Sequence, residues 1–364
     1  EECARIRERL EAGGARVSAA RVSGRDVLIC ADARATLGEA AFDALRGLAD
    51  VVPIPEPYKL ASRRVRDATH VRVGGPRPTV VGATTLALIA GPCSVEGLPM
   101  LRGTARAVAA AGASMLRGGA FKPRTSPYAF QGLGVAALEM LSTVRAETGL
   151  PVVTEIMDAR QLDAMLPHVD VFQVGARNMQ NFSLLAALGD IRRPVLLKRG
   201  AAATIEELLL AAEHVLARGN GEVVLCERGV RAHETRTRNT LDVAAVPVLQ
   251  RETHLPVIVD PSHAAGRADL VLPLSLAAVA AGADGLMIEV HPTPATALSD
   301  GDQSLTFDAF AALLRTLEPV ATAVGRTLPA SADTAVDSRL DTALVPRAAV
   351  ATPARRENAI GRVA

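Results

Sequence analysis

The sequence predicts a parallel (β/α)8 barrel preceded by a small α+β unit, on three observations. Eight short apolar runs recur across residues 86–289 with helical patterns between them, the signature of repeated β/α units. Nearly every run ends on a charged or metal-competent side chain, in order near Cys93, Arg117, Glu155, Arg177, Lys198, Arg228, His263 and Glu289. Closed barrels of this TIM type carry their chemistry at the carboxyl ends of the strands, so the chain reads as an enzyme. The length, 364 residues, allows one barrel of about 250 residues plus a smaller appendage.

The appendage and its linker take residues 1–60. A helix over 1–12, strands near 15–22 and 26–31, a second helix near 37–48 and a strand over 50–54 give the order αββαβ. That is a ferredoxin-like unit without its first strand. With Glu1 rather than methionine at the start, truncation or processing at that end is expected. Pro53, Pro55 and Pro57 stiffen the connection, and Tyr58-Lys59-Leu60 offers it a docking point. The barrel domain spans 61–328. Runs at 71–73 and 79–81, around Gly74-Gly75-Pro76, predict a hairpin that plugs the amino-terminal end of the barrel.

Barrel strands are expected at 86–91, 113–117, 151–155, 170–174, 194–198, 222–226, 256–260 and 285–289. Thr204 followed by Glu207 is a capping-box helix start, and the last helix is expected over 306–325. Residues 329–364, rich in Ala, Pro, Arg and Thr without periodicity, predict a disordered tail.

Composition excludes several classes. Forty basic and 39 acidic residues leave a net charge of +1, which gives no nucleic-acid footprint. No tryptophan and two tyrosines leave few platforms for stacking bases. Mean hydropathy of +0.22 supports a large core, yet no uncharged apolar run reaches membrane-spanning length. The four cysteines, Cys3, Cys30, Cys93 and Cys226, are widely spaced and form no disulfide framework, so a reducing, cytoplasmic setting is expected.

The densest segment runs from Arg117 through Gly118, Gly119, Lys122, Pro123, Arg124, Thr125 and Ser126 to Gly132. Glycines after a strand let the backbone approach a ligand, and a guanidinium with two hydroxyls suits a phosphate. A solvated basic loop is the bland alternative. Arg177, Lys198 and Arg228 add to Arg117, Lys122 and Arg124, making six cations at one barrel mouth. Such a set calls for anions: two phosphates and a carboxylate, about five negative charges, would match it. A structural ion pair is the alternative for any one of Arg177, Lys198 or Arg228.

A second group comes from the opposite arc: Cys93 in Gly91-Pro-Cys-Ser, His263 in Asp260-Pro-Ser-His, Glu289 and Asp300. A thiolate, an imidazole and two carboxylates suit one divalent transition ion, Mn, Fe, Co or Zn. Singly, the cysteine reads as packing and the histidine as a hydrogen-bonding group. Their strands would be the first, seventh and eighth, which are neighbours once the barrel closes. His291 is a rival ligand, ranked lower. Glu155 can hold a water or a proton, Asp158 reads as a helix cap, and Asp260 reads as the orienting partner of His263.

Together these motifs resemble the 3-deoxy-D-arabino-heptulosonate 7-phosphate (DAHP) synthases, in the branch with an amino-terminal ferredoxin-like domain. The resemblance rests on Gly91–Ser94, Arg117–Gly132, Gln173–Asn181, Leu196–Gly200, Cys226–Gly229, Thr237–Asp242, Val259–His263 and Ser299–Gly301, and thus spans about 86–305. Over 1–60 it is thinner. It implies condensation of phosphoenolpyruvate with erythrose 4-phosphate and water, the first step of the shikimate pathway to aromatic amino acids. It implies that Cys93, His263, Glu289 and Asp300 bind the metal, manganese being favoured. It further implies that Arg117, Lys122, Ala176, Arg177, Lys198 and Arg228 hold phosphoenolpyruvate, while Arg124, Thr125 and Ser126 take the sugar phosphate. Lys122 would give the proton to the new alkoxide, and Glu155 would position the attacking water. A homo-oligomer, an aromatic amino acid effector acting through the first domain and a separate chorismate mutase partner are the partners it suggests.

Two rivals stand beside this reading. The sister enzyme making 3-deoxy-D-manno-octulosonate 8-phosphate shares the fold, but typically has Ala-Asn after the lysine where this chain has Pro123-Arg124-Thr-Ser. A non-catalytic sugar-phosphate sensor would bind without turnover, and the intact set of candidate ligands argues against it.

Overall fold

Eight parallel strands close on themselves: β5 (Ala87–Gly91), β6 (Met115–Arg117), β7 (Val152–Ile156), β8 (Val171–Val174), β9 (Val195–Lys198), β10 (Val223–Glu227), β11 (Val257–Val259) and β12 (Gly285–Glu289). β12 pairs with β5, so the first strand lies beside the last and the ring has no edge. The structure, a computed structural model, describes residues 2–22, 25–31, 52, 54–124 and 126–330. Each expected barrel strand is present, its ends within one or two residues of those read from the apolar runs.

Every residue of these strands is buried. That explains continuous apolar runs rather than alternation: one face fills the barrel and the other packs under the helices. Helices Leu98–Ala111, Val135–Thr148, Phe182–Asp190, Ile205–Leu216, Ala245–Glu252, Val271–Ala280 and Phe307–Ala323 form the outer layer. Thr204 starts its helix as expected: its Oγ1 accepts from Glu207 N at 3.1 Å, and Glu207 Oε2 accepts from Thr204 N at 2.7 Å.

The hairpin, β3 (Val71–Val73) with β4 (Thr79–Val81), is antiparallel with Val71 opposite Val81. Val71, Val73 and Val81 pack with Ile89, Met115, Val153, Val171, Leu196, Ile258 and Met287 in the barrel interior, so the hairpin stoppers the barrel.

At the amino end, a helix (Glu2–Ala12) is followed by β1 (Arg16–Val22) and β2 (Arg25–Ala31), an antiparallel pair. The second helix near 37–48 and most of the strand over 50–54 lie outside the described residues, as does the tail beyond 330. The described part of the ferredoxin-like order is therefore αββ.

The linker does dock at Tyr58–Leu60. Glu213, on the helix Ile205–Leu216, accepts from three successive main-chain N–H groups: Lys59 at 3.0 Å, Leu60 at 2.7 Å and Ala61 at 2.9 Å. Tyr58 Oη donates to Glu252 at 2.7 Å. A carboxylate satisfying three backbone donors is a strong tether, because hydrogen bonds to charged groups contribute about 1.5–3 kcal/mol each. Glu213→Ala is expected to lower stability by about 2–3 kcal/mol, read as a fall in the urea midpoint at unchanged slope.

Candidate active site

The carboxyl rim gathers the chemistry-bearing side chains. Because β11, β12 and β5 are consecutive in the ring, their ends bring His263, Glu289 and Cys93 together. Asp300 arrives from the loop after β12. One donor atom from each of these four residues lies within 4.8 Å of every other. Gly91 allows the approach: a Cβ there would lie 2.1 Å from the Arg117 carbonyl oxygen.

The Cys93 sulfur donates to Asp300 Oδ2 and accepts from Lys122 Nζ, both at 2.9 Å. Burial, with the Glu289 carboxylate nearby, pushes the Cys93 thiol up to about 12. His263 Nε2 faces Glu289 Oε1 at 3.3 Å. Its Nδ1 lies 2.7 Å from Asp260 Oδ2. Burial draws the imidazole below its usual range despite the two carboxylates, which favours the neutral form that a metal ligand needs. Asp300 has φ of +52°, the left-handed region, and is the one non-glycine residue there among those described. A thiol, a neutral imidazole and two carboxylates within this span fit a divalent transition ion. His291 stands apart: its Nε2 is 3.4 Å from Glu96 and its Nδ1 accepts from Thr293 N.

The cations line the same cleft. Arg117 pairs with Glu289 and donates to the Cys93 carbonyl at 3.2 Å. Lys198 pairs with Asp260, a carboxylate that burial opposes but that His263 and Lys198 hold well below its usual range. Part of the counter-charge that the sequence assigns to substrate is thus supplied by the protein's own carboxylates. Arg228 differs. It is buried, donates to the His263 carbonyl at 3.0 Å, and has no carboxylate at ion-pair distance among the described residues. Burial draws it below the usual guanidinium range, the condition of a cation awaiting an anion.

Lys122 lies inside the cleft because Gly119 clears its path; a Cβ there would be 2.8 Å from Lys122 Cδ and 2.6 Å from the Cys93 carbonyl. Arg177 is exposed and donates to the Pro123 carbonyl at 2.8 Å, joining the loops after β6 and β8. A cavity of about 340 Å³ opens between the loops after β8 and β9, lined by Ala176, Arg177, Gln180 and Gly200. Arg124 is half-buried, Ser126 is exposed, and Thr125 lies outside the described residues. Glu155 is buried at the end of β7 and accepts from Gln173 Nε2 at 3.4 Å. Its carboxylate occupies the space a side chain at Gly175 would fill, 2.0 Å from an ideal Cβ. Asp158 caps the turn Ala159–Gln161, away from the chemistry.

Sequence reasoning missed Arg199, Arg238 and Gln303 as parts of this site. Arg199 is buried and pairs with Glu227 and Asp242, both at 2.9 Å, behind Arg228. Arg238 and Gln303 reach the metal-competent carboxylates. The sequence signal was their place: Arg199 and Arg238 lie within the stretches Leu196–Gly200 and Thr237–Asp242, and Gln303 lies just after Ser299–Gly301.

A plugged barrel with buried cations and a four-donor cluster at one rim defines the class, a (β/α)8 enzyme acting on anionic substrates. Residues 71–325 match the DAHP synthetase I family. The chain belongs to that family and is an enzyme with its activity. A phospho-2-dehydro-3-deoxyheptonate aldolase of Thermotoga maritima is 49% identical over 285 residues, 78% of this chain and 83% of that one. A crystal structure of such an aldolase (DAHP synthase) from Thermotoga maritima superposes with a TM-score of 0.74 at 44% identity, covering 90% of this chain and 96% of that one. A 2-dehydro-3-deoxyphosphooctonate aldolase of Syntrophotalea carbinolica is more distant, at 34% identity over 63% of this chain and 88% of its own length. No described helix is long and apolar enough to cross a membrane.

With the thiol protonated up to about 12 and the imidazole already neutral, loading Mn²⁺ should release close to one proton per ion between pH 6.5 and 8.5. The affinity should therefore rise about tenfold per pH unit, and isothermal titration in buffers of different ionisation enthalpy would count the protons. Cys93→Ala should abolish the binding.

Proposed function

We propose that the rim condenses phosphoenolpyruvate with erythrose 4-phosphate and water, giving 3-deoxy-D-arabino-heptulosonate 7-phosphate and inorganic phosphate. One observation carries the assignment of residues: Lys122, from the phosphate-suited loop, lies 2.9 Å from the sulfur of the four-donor cluster. Cation cleft and ion site are therefore parts of one site. Cys93, His263, Glu289 and Asp300 would hold the metal, with manganese favoured. When bound, such an ion supplies Lewis-acid polarisation of the aldehyde oxygen.

The deep cations, Arg117, Lys122 and Lys198, hold the carboxylate end of phosphoenolpyruvate, with Arg228, Arg177 and the Ala176 backbone on its phosphate. The unpaired charge of Arg228 supports that placement. Arg124, Thr125 and Ser126 take the phosphate of the sugar. The methylene carbon attacks the aldehyde, water adds at C2, and phosphate leaves by C–O cleavage. Lys122 gives its proton to the alkoxide. Burial works against its charge, but Cys93 and Glu155 beside it outweigh that and hold the ammonium above its usual range. Glu155 holds the water that adds at C2. Its seat over Gly175 supports the role, since a bare backbone leaves its carboxylate a defined position.

Purified protein with Mn²⁺ should release phosphate from phosphoenolpyruvate when erythrose 4-phosphate is present, and stop after chelation. Arabinose 5-phosphate in place of the four-carbon aldehyde should give little. Faster turnover with arabinose 5-phosphate would move the assignment to the sister enzyme, and binding without turnover would make the protein a sensor. Gly175→Ala should cut kcat about a hundredfold by displacing Glu155, with Mn²⁺ affinity unchanged.

The assembly as a homo-oligomer, control by an aromatic amino acid through residues 1–60, association with a separate chorismate mutase and a cytoplasmic setting belong to the same proposal. Inhibition assays with tyrosine and phenylalanine, on the full chain and on protein lacking residues 1–60, address the second of these. No effect in either removes it.

A further inference from the structure

We propose that Arg238 and Gln303 are positioning residues that fix the two carboxylates among the four metal-competent ligands from outside, an inference resting on the ion-site reading above. Each carboxylate in the cluster is split. Glu289 turns Oε1 toward His263 Nε2 and Arg117, while its Oε2 accepts from Gln303 Nε2 at 2.6 Å. Asp300 turns Oδ2 toward the Cys93 sulfur, while its Oδ1 accepts from Arg238 at 3.2 Å. Arg238 also donates to Gln303 Oε1 at 3.1 Å, closing a chain from Asp300 through Arg238 and Gln303 to Glu289.

The chemistry admits one orientation of the Gln303 amide. A guanidinium only donates and an ionised carboxylate only accepts, so the amide oxygen must face Arg238 and the nitrogen Glu289. Gln303 is buried, which holds that orientation. With their outer oxygens occupied, both carboxylates offer one oxygen each to the centre and act as single-atom ligands. The grip extends to a third ligand, because Asn239, next to Arg238, donates to the His263 carbonyl at 3.2 Å. The stretch Arg238–Asn239 is itself held to residues 264–265 by main-chain hydrogen bonds of 2.9 and 2.8 Å. Partners that orient ligands in this way set metal affinity by about ten- to a hundredfold.

The test measures the dissociation constant for Mn²⁺ alone, by competition with a fluorescent chelator, in Gln303→Leu, Gln303→Met and Arg238→Met. Melting of the metal-free proteins and turnover at saturating Mn²⁺ are read alongside. Each single variant should weaken Mn²⁺ binding about ten- to a hundredfold, with the metal-free protein still folded and melting only modestly lower, and turnover falling less than affinity. The double variant Gln303→Leu/Arg238→Met should be little weaker than the worse single, since both cut one chain. The unbranched Gln303→Met, which keeps the length of the side chain and adds no charge beside Glu289, keeps the test valid if the leucine variant fails to fold. Affinities within about twofold of wild type, or losses that only track melting, would overturn the proposal. Retention of Mn²⁺ by Cys93→Ala would instead overturn the ion site itself, a separate result.

Discussion

The Asp260 carboxylate, buried at the end of β11, is the interaction on which the site's construction depends. One oxygen meets both Lys198 and the His263 ring, and the other accepts from the His263 main-chain N at 2.9 Å. A buried carboxylate is costly unless paired and hydrogen-bonded. Here the pairing joins the two halves of the site, because Lys198 belongs to the cation cleft and His263 to the donor cluster. The same histidine lends its carbonyl to Arg228 and Asn239. Asp260 and the short helix it caps, Pro261–Ala265, thus hold a metal-competent ring, a buried ammonium and a buried guanidinium in one frame.

Charge in the cleft is arranged by the same economy. Arg117 and Lys198 are neutralised by Glu289 and Asp260. Among the described residues Arg228 has a carbonyl and no carboxylate as partner. Arg199 lies close behind but is matched by Glu227 and Asp242, so it braces the segment and does not compete for a ligand. Arg117, Arg199 and Arg228 are all buried, and counter-ions separate the doubly matched brace, Arg199, from Arg228, which has none at ion-pair distance among the described residues.

Much of this was legible in the sequence, because barrel strands leave a strong local trace. Being buried on both faces, each reads as an unbroken apolar run, and its rim residue follows directly. Adjacency of the first and last strands then placed Cys93 beside His263 and Glu289 without any distance information. The rest depends on contacts between segments remote in sequence. Gln303 is an unremarkable polar residue until Arg238, 65 positions earlier, is seen against it. Gly175 looks like any loop glycine until the Glu155 carboxylate is found where its side chain would be. The pairing of Arg117 with Glu289 was invisible for the same reason, so the sequence overstated the charge left for a substrate. Over 1–60 the expected order is met only as far as the described αββ elements go.

The main-chain conformation at Asp300 has a bearing on how such a donor set can change. Cys93, His263 and Glu289 are answerable to their neighbours' side chains alone, so replacing one raises only the question of reach and donor chemistry. At position 300 the backbone votes as well. With φ at +52°, β-branched and bulky side chains are disfavoured before any ligand is considered, and short polar ones such as Asp and Asn are the natural tenants. The peptide backbone there acts as a filter on the alphabet of ligands.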